Sequence, residues 1–295
     1  MIELLSDYTV RVVIFGSVMI GAVSGALGCY AYLRRQSLIG DVVAHSSLLG
    51  IVLSFLGAYL ITGDGNKSLW VLIPGAIFAG LGALTLTRMI TSNTRIKTDA
   101  GLGVMLAIFF GTGMMLLRWL QRAQPPIPGR SGLDDYLFGM AAAMTQPDLW
   151  MIGTLGGSAI GAMLVLWSWL KVATFDPEYA AGLGLPVRRL EYLLLSLMVV
   201  GIVIGLQIAG VILMISLLVA PAAAARQWTN HFGRMVALAS LIGGTCAAAG
   251  ALFSALVRHL PTGPVIVVLV TTVFVLSLLF SPGRGIVFRR RRLGA

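Results

Sequence analysis

Charged residues are scarce in this chain. They make up 11% of its 295 residues, whereas apolar residues reach 58% and the mean hydropathy is +0.93. Soluble domains carry about 25% charged and roughly 45–50% apolar residues. A fold of this composition cannot cover its surface with polar side chains, which excludes an ordinary soluble enzyme, a nucleic-acid-binding domain and a disordered chain. The composition predicts an all-α, polytopic membrane protein, residues 1–295 forming one transmembrane domain.

Cysteine is equally scarce, and the chain starts without a basic leader. Cys29 and Cys246 both lie in apolar runs, so we expect two small buried side chains and no disulfide framework. The first ten residues, MIELLSDYTV, contain Glu3 and Asp7 but neither a basic residue nor a small-residue cleavage site. A removable signal peptide is therefore not expected, and the first span itself directs insertion.

Apolar runs long enough to cross a bilayer recur along the chain, since about 20 apolar residues span the hydrocarbon core. The candidate spans are 9–33, 42–62, 68–90, 101–120, 149–170, 190–209, 235–257 and 263–281. Residues 210–228 continue the sixth run, but one helix over 190–225 would be ~54 Å long, far beyond a ~30 Å core. We therefore predict a break near Gly205 to Gly210, followed by a ninth, short span.

Positive charge predicts the orientation. With nine spans and the N-terminus outside, the inside loops and span ends hold 15 lysines and arginines, and the outside holds 6. With eight spans, the basic tail 284–295 would lie opposite the basic loops 91–99 and 171–189, and this bias would vanish. The pattern predicts about nine transmembrane helices with the C-terminus cytoplasmic. The net charge of +10 then reflects topology and not a nucleic-acid partner.

Small and polar residues also occur inside the spans. Three pairs of glycines spaced four residues apart predict close helix packing: Gly21 with Gly25, Gly157 with Gly161, and Gly201 with Gly205. Gln207, at the predicted break, either lines a path through the membrane or bonds a neighbouring helix. The sequence leaves both interpretations open.

Ionisable groups inside spans are costly, so each is a candidate functional group. Asp41 and His45 are four residues apart in GDVVAHSSLLGI, which places a carboxylate and an imidazole on one helix face. The pair suits a divalent ion such as Mn, Zn or Fe(II). Since such ions take four or six donors, a second copy of the pair from a two-fold-related subunit would be needed. The alternative is structural, with Asp41 as an N-cap and His45 hydrogen-bonded to a neighbouring helix.

Helix start and stop signals are dense in the loop KVATFDPEYAAGLGLPVRRLEY, residues 171–192. An N-cap, a first-position proline, a first-turn acid, a terminal glycine and a closing proline follow in order: Asp176, Pro177, Glu178, Gly184 and Pro186. We predict a short, solvent-facing helix within 176–186 on the inside. It is either a docking element for a cytoplasmic partner or a plain connector.

The remaining loops carry no catalytic signature. The stretch QRAQPPIPGRSGLDD, residues 121–135, is too rich in proline for a helix and is either a linker or a contact surface for an external delivery protein. The sequence contains no phosphate-binding G-x4-GK[ST] loop, no HExxH and no GxSxG. We therefore expect neither ATP hydrolysis by this chain nor other enzymatic chemistry.

Five stretches together resemble the ABC-3 family, the membrane permeases of manganese, zinc and iron ABC importers. They are GDVVAHSSLLGI (40–51), GLDDYLFGMAAAM (132–144), FDPEYAAGLGLP (175–186), QIAGVILMISLLVAPAAAA (207–225) and LPTGPVIVVL (260–269). The matches keep their order from about residue 10 to residue 285, so the resemblance covers nearly the whole chain. The GLDDYLFG segment is more similar to the manganese and iron branch than to the zinc-only branch.

The resemblance implies a type II, vitamin-B12-importer-like fold in which two permease subunits, identical or homologous, enclose a central path. Asp41 and His45 match the family's metal-binding pair. The 176–186 loop looks like the family's ATPase-coupling helix, with Asp176, Pro177, Glu178, Ala181, Gly184, Leu185 and Pro186 at the matching positions. The span boundaries place Asp41 near the inner end of its helix, whereas a transport site is expected nearer the midplane.

The same resemblance implies the partners and the cargo. A dimer of cytoplasmic ABC ATPases would bind ATP, and an extracytoplasmic binding protein would deliver the ion across a bacterial cytoplasmic (inner) membrane. The cargo would be Mn, Fe or Zn, with no permanently bound cofactor.

Two other functions remain as alternatives. An ion-gradient-driven carrier predicts several buried acids, whereas Asp41 is essentially alone among the spans. An intramembrane hydrolase would use His45 with Ser46 or Ser47, but adjacent residues give poor nucleophile–base geometry.

Overall fold

The computed structural model describes residues 8–34, 36, 38–63, 68–124, 127–130, 132–133, 139, 144–257, 260–281, 285 and 287, excluding the side chains of 207–209 and 211–213. Within these ranges every regular element is a helix, as predicted. The helices are α1 (Tyr8–Leu33), α2 (Leu38–Thr62), α3 (Leu69–Asn93), α4 (Thr98–Arg122), α5 (Gln146–Val165), α6 (Trp167–Phe175), α7 (Pro177–Gly182), α8 (Val187–Trp228), α9 (Phe232–Leu256) and α10 (Thr262–Phe280). Helices satisfy their own backbone hydrogen bonds, which a bilayer requires.

Eight helical segments in the described ranges are long and apolar enough to cross a membrane. They are α1 to α5, residues Val187–Leu206 of α8, α9 and α10. These segments overlap the eight runs predicted from the sequence, but the fifth run, 149–170, is divided between α5 and α6 at Leu166. The predicted ninth span is not a separate long helix, because residues 210–228 belong to α8.

Helix α8 is broken at Gly210, inside the predicted interval. Gly210 has φ 70° and ψ 174°, a left-handed backbone conformation that favours glycine. A Cβ added at Gly205 would collide with the sulfur of Met214. In a straight helix, residues nine positions apart lie about 13.5 Å apart along the axis, so this contact requires the chain to fold back on itself. Helix α8 is therefore a hairpin of two arms, 187–209 and 211–228.

Contacts along α1 give the direction of each arm. The neighbouring pairs are Gly201 with Leu27, Gly205 with Ile20, and Leu218 with Gly28. The first arm thus runs antiparallel to α1, and the second runs parallel to it. Because Ile20 is near the midpoint of α1, the reversal occurs inside the bundle. The ninth predicted span is the returning arm of this hairpin, which enters and leaves at the same face.

Close backbone contacts hold α1 at the centre of the bundle. Added Cβ atoms at three of its glycines would collide with carbonyl groups: Gly21 with Gly243, Gly25 with Ala239, and Gly28 with Leu218. Small residues let helix backbones approach in this way, which a bilayer-embedded bundle uses in place of the hydrophobic effect. The order of these contacts shows that α9 runs antiparallel to α1 and that the second arm of α8 packs beside α1.

The helix connections alternate between two faces, which we call the N-terminal face, where α1 begins, and the C-terminal face, where α1 ends. Contacts of Arg34 with Ala173 and Glu191 place the end of α1 beside α6 and the start of α8. The Ser281 hydroxyl donates to the carbonyl of Gln227, which places the end of α10 beside the end of α8. The starts of α2 and α4 and all of α7 belong to the C-terminal face.

Exposed tryptophans lie near both faces. Trp70, Trp119 and Trp150 lie near the N-terminal face, and Trp169 and Trp228 lie near the C-terminal face. Tryptophan is enriched where the hydrocarbon core meets water. The two groups therefore fit a bundle that crosses a bilayer from one face to the other.

Candidate functional site

Asp41 and His45 lie on the least covered face of α2. Both side chains are partly exposed, as is Leu49 one turn further, whereas the residues between Asp41 and His45 are buried. Leu53 continues the same face and is 49% exposed. The spacing of four residues thus puts the carboxylate and the imidazole on one open stripe, as the sequence predicted.

The imidazole of His45 is held by packing and not by hydrogen bonds. Its ring meets the ring of Phe110 in α4 edge to face, with the centroids 4.7 Å apart and the planes at 69°. Its Nδ1 is buried and has no hydrogen-bond partner in the part of the chain that the structure describes. A buried, unpaired ring nitrogen is costly unless a group outside the described residues pairs with it. The structural alternative for His45, a hydrogen bond to a neighbouring helix, is not observed there.

Asp41 does not cap α2. The helix begins at Leu38, so Asp41 lies within the first turn, where the helix dipole still favours a carboxylate. Gly40 lies against the second arm of α8, since an added Cβ there would be 3.2 Å from Leu218 Cδ2. The carboxylate therefore lies about one turn inside the C-terminal face, and His45 lies about one turn deeper. This is shallower than the midplane expected of a transport site.

One copy of the chain supplies an incomplete ligand set. Among the described residues, no group of three or more histidine, cysteine, aspartate and glutamate side chains could hold a metal ion. A tetrahedral or octahedral ion needs four or six donors, and Asp41 with His45 offers two side chains. A metal ion bound by this pair would take its additional donors from outside the described part of this chain.

The serines beside His45 are not activated. Ser46 Oγ donates to the Val43 carbonyl at 3.1 Å, and Ser47 Oγ donates to the same carbonyl at 2.6 Å. Both hydroxyl protons are thus bound within α2, and neither hydroxyl donates to His45. A serine nucleophile requires a base within hydrogen-bond reach, so this geometry does not support the hydrolase alternative.

The predicted short helix is present as α7, at the C-terminal face. The Asp176 carboxylate accepts a hydrogen bond from the Tyr179 N–H at 2.9 Å, which makes Asp176 the N-cap, and Pro177 is the first helical residue. Glu178 lies in the first turn, where an acid is favoured by the helix dipole. Ala181 lies in the last turn of the helix and is exposed.

The chain leaves α7 through a glycine turn. Gly184 has φ +77°, and the Leu185 N–H donates to the Ala180 carbonyl at 3.1 Å. Pro186 then precedes the first residue of α8. Tyr179 in α7 is 59% exposed, and Leu183, which directly follows α7, is 56% exposed, so two apolar side chains face outward at this face.

A cluster of ion pairs lies at the C-terminal face, and the sequence did not predict it. Glu191 in α8 forms ion pairs with Arg88 of α3 and Arg34, which follows α1. Burial lowers the pKa of the Arg34 guanidinium, and the Glu191 carboxylate opposes this shift. The sequence carries one hint of this cluster: Glu191 is the last acidic residue of the chain.

Two predicted features cannot be located by their side chains. Gln207 lies in the first arm of α8, three residues before the break, but its side chain is outside the described part of the structure. Residues 134–138 of the GLDDYLFG segment also lie outside the described residues.

These features define a class of protein. A bundle of apolar helices contains a reversed helix, an incomplete carboxylate–imidazole pair within a span, and a short exposed helix at one face. Discontinuous helices and ionisable groups at membrane depth are typical of proteins that move solutes across membranes. The fold and the site are those of a membrane permease.

The chain belongs to the ABC 3 transport family, whose family model matches residues 6–281. It is 41% identical over 297 residues to the zinc transport system membrane protein TroC of Treponema pallidum (strain Nichols), covering 99% of this chain and 97% of that protein. It is 38% identical over 281 residues to the manganese transport system membrane protein MntC of Bacillus subtilis (strain 168), covering 95% of this chain and 63% of that protein.

A solved structure has the same fold. The structure of PsaBC from Streptococcus pneumoniae in complex with Fab matches with a TM-score of 0.83 and 27% sequence identity, covering 100% of this chain and 98% of that chain. The fold is that of a type II ABC importer permease, as the resemblance implied.

Proposed function

We propose that the chain is the permease subunit of an ATP-driven importer of a divalent metal ion, Mn, Fe or Zn. The observation that carries this proposal is the Asp41–His45 pair on an open helix face, where the buried Nδ1 of His45 has no partner among the described residues. A carboxylate and an imidazole suit these borderline ions. Family membership supports the same function, as do relatives named for zinc and for manganese transport.

The second half of the ligand set would come from a second permease subunit, identical or homologous. Beside Phe110, helix α4 presents Gly103, Ala107 and Gly111 to open space, with no atom within 4 Å of a Cβ built at either glycine. Small residues at this spacing let a second helix approach closely. A two-fold-related copy packed on this surface would bring a second aspartate and histidine toward the same ion, giving four side chains.

Orientation and location follow from charge. The described basic residues at the C-terminal face are Arg34, Arg88, Arg95, Lys97, Lys171, Arg188, Arg189, Arg226 and Arg234, and those toward the N-terminal face are Arg11, Arg118, Arg122 and Arg130. Because cytoplasmic loops carry the excess of lysine and arginine, we place the C-terminal face in the cytoplasm. The N-terminus is then outside, and the membrane is a bacterial cytoplasmic (inner) membrane.

Helix α7 would then couple the permease to a cytoplasmic ABC ATPase dimer. The exposed Tyr179 of α7 and Leu183 directly after it offer apolar side chains to a partner at that face. Asp176, Pro177, Glu178, Ala181, Gly184, Leu185 and Pro186 shape this element. ATP would be bound and hydrolysed by the partner, while the permease binds the ion and opens to one face at a time. An extracytoplasmic binding protein would deliver the ion, and Gln207 would line the path.

The test uses Asp41→Ala and His45→Ala in the complete transporter, reconstituted in vesicles with its ATPase and binding protein. We expect ATP-dependent uptake of manganese and zinc to be abolished, while the permease still assembles with the ATPase. Asp99→Ala is the matched control, because Asp99 also lies in the first turn of a span at the C-terminal face but is exposed. Normal uptake by both site variants would refute the metal site. Uptake by the permease alone, without ATP, would indicate a gradient-driven carrier instead.

A further inference from the structure

One carboxylate joins three helices at the C-terminal face. Glu191, in the second turn of α8, pairs with Arg88 of α3, and its Oε1 lies 3.7 Å from Arg34 Nη1, directly after α1. Arg88 also lies over the ring of Tyr192, with its guanidinium carbon 4.7 Å from the ring centroid. Without the carboxylate, two guanidinium groups would face each other and repel. Glu191 therefore keeps the ends of α1, α3 and α8 together.

Arg34 contacts the chain on both sides of α7. Its Nη2 donates to the Ala173 carbonyl in α6 at 3.3 Å, and its Nη1 faces Glu191 in α8. Helix α7 lies between these two partners in sequence. A guanidinium carries several N–H donors in a fixed plane, so one arginine can hold both partners. A displacement of α7 that moves its flanking segments therefore acts on Arg34.

A short connection also joins Arg34 to the start of α2, the helix that carries Asp41 and His45. Only residues 34–37 separate α1 from α2. Within this connection the Gln36 N–H donates to the Ala31 carbonyl at 3.1 Å, and the Ile39 N–H donates to the Gln36 carbonyl at 3.2 Å. These hydrogen bonds tie Gln36 to the end of α1 and to the first turn of α2, which carries Asp41. Movement of Arg34 is therefore passed on to that turn.

The structure leaves room for such a movement. A cavity of about 70 Å³ lies at this corner, lined in part by Arg34, Ile39 and Glu191. The side chains of the cluster are 14% exposed for Arg34, 25% for Glu191 and 31% for Arg88, so this chain encloses none of the three fully. A close-packed core resists displacement, whereas side chains beside a cavity can shift. The cluster can change geometry without breaking the surrounding packing.

We propose that Arg34 and Glu191 are positioning residues that transmit movement of α7 to the end of α2 carrying Asp41 and His45. This inference rests on the proposed function, because it requires a partner that moves α7. Neither residue contacts the ion. Their expected effect is on how many ATP molecules are hydrolysed for each ion transported, and not on the binding of the ion.

The decisive variant is Glu191→Gln in the complete transporter, with uptake of manganese and hydrolysis of ATP measured in the same vesicles. We expect uptake to fall about tenfold while hydrolysis stays within about twofold, in the range of typical coupling effects. The ATP consumed per ion then rises. Arg34→Lys keeps the charge but not the planar fork, and we expect a smaller rise, about threefold.

Two controls separate coupling from general damage. Asp99→Asn removes an exposed acid at the same face and should leave the ratio of ATP to metal unchanged. Equilibrium binding of manganese to the Glu191→Gln complex should equal that of the wild type. A proportional fall of uptake and hydrolysis, or no change in either, would overturn the inference, and the Arg34→Lys ratio decides if Glu191→Gln fails to assemble. Absence of ATP-dependent uptake by the wild type would refute the proposed function instead.

Discussion

Asp41 and His45 lie one to two turns inside α2, and Arg34, Arg88 and Glu191 lie at the ends of neighbouring helices at the same face. The two groups differ in how completely this chain satisfies them. The ion cluster pairs its one carboxylate with two guanidinium groups, and one of these also binds a backbone carbonyl. In the Asp41–His45 pair, the Nδ1 of His45 has no partner among the described residues.

The difference separates two uses of polarity in a membrane protein. A saturated cluster fixes helix ends relative to each other, and its partners all belong to the fold. In an unsaturated pair, a buried group without a partner costs free energy unless a ligand from outside the described residues supplies one. Removing a group from the first should change stability or coupling, whereas removing a group from the second should change ligand binding alone. The predictions below test this contrast in decreasing order of effect.

The largest effect is expected for His45→Phe. Phenylalanine keeps an aromatic ring against Phe110 but removes the ring nitrogens. We expect metal uptake to fall by at least about 100-fold, because loss of a group that only supports a metal ligand already costs about 10- to 100-fold. Thermal stability should be retained, with the unfolding midpoint within about 2 °C of the wild type, because no hydrogen bond is lost. A large drop in the midpoint would show that His45 is a structural residue. The Asp41–His45 pair would then not differ from the Arg34–Arg88–Glu191 cluster in its role.

Gly28→Val tests the packing of α1 against α8, next to the helix turn that carries Asp41. Its Cβ would collide with the Leu218 carbonyl, and Leu218 also contacts Gly40. Backbone cannot move away as a side chain can, so we expect the stability of the purified permease to fall by about 2–3 kcal/mol. Gly157→Val is the control, since no atom lies within 4 Å of a Cβ at Gly157. Equal thermal stability of the two variants would contradict the packing described for α1 and α8.

Arg88→Met removes one partner of the saturated cluster. The variant loses the Glu191 ion pair and the contact with the Tyr192 ring, but the Arg88 side chain is 31% exposed, which weakens both. We expect a loss of about 1 kcal/mol in thermal unfolding, reduced further at high salt. Arg95→Met, at the exposed end of the same region, serves as control. A variant as stable as Arg95→Met would show that the cluster contributes nothing to stability.

Tyr192→Leu should have the smallest effect. It removes the aromatic face under Arg88 and retains both ion pairs, so we expect about 0.5 kcal/mol in the same unfolding measurement. Combining it with Arg88→Met should add less than the sum of the two changes, because the residues are in contact. Full additivity would show that the ring and the guanidinium do not interact.

The sequence predicted the main course of the chain because long apolar runs and membrane thickness leave few alternatives. The break in α8 followed from length alone, and it is confirmed at Gly210. The short helix α7 followed from Asp176 and Pro177, whose effects are local. The spacing of Asp41 and His45 likewise predicted a shared face.

Contacts between helices could not be read in the same way. The pairs Gly21 with Gly25 and Gly157 with Gly161 have the same spacing, yet the first lies against the α9 backbone and the second faces open space. The partners of Glu191 lie 103 and 157 positions away in sequence. Such contacts also decide if the Nδ1 of His45 has a hydrogen-bond partner. The structure was therefore needed to distinguish the saturated cluster from the unsaturated pair.

The reversal at Gly210 also has an electrostatic consequence. Peptide dipoles align along each arm of α8, so the first arm ends inside the bundle with its negative pole, and the second begins there with its positive pole. Two opposite poles of equal size meet within a few residues and largely cancel. The chain can therefore interrupt a helix within the membrane without a counter-ion at the break.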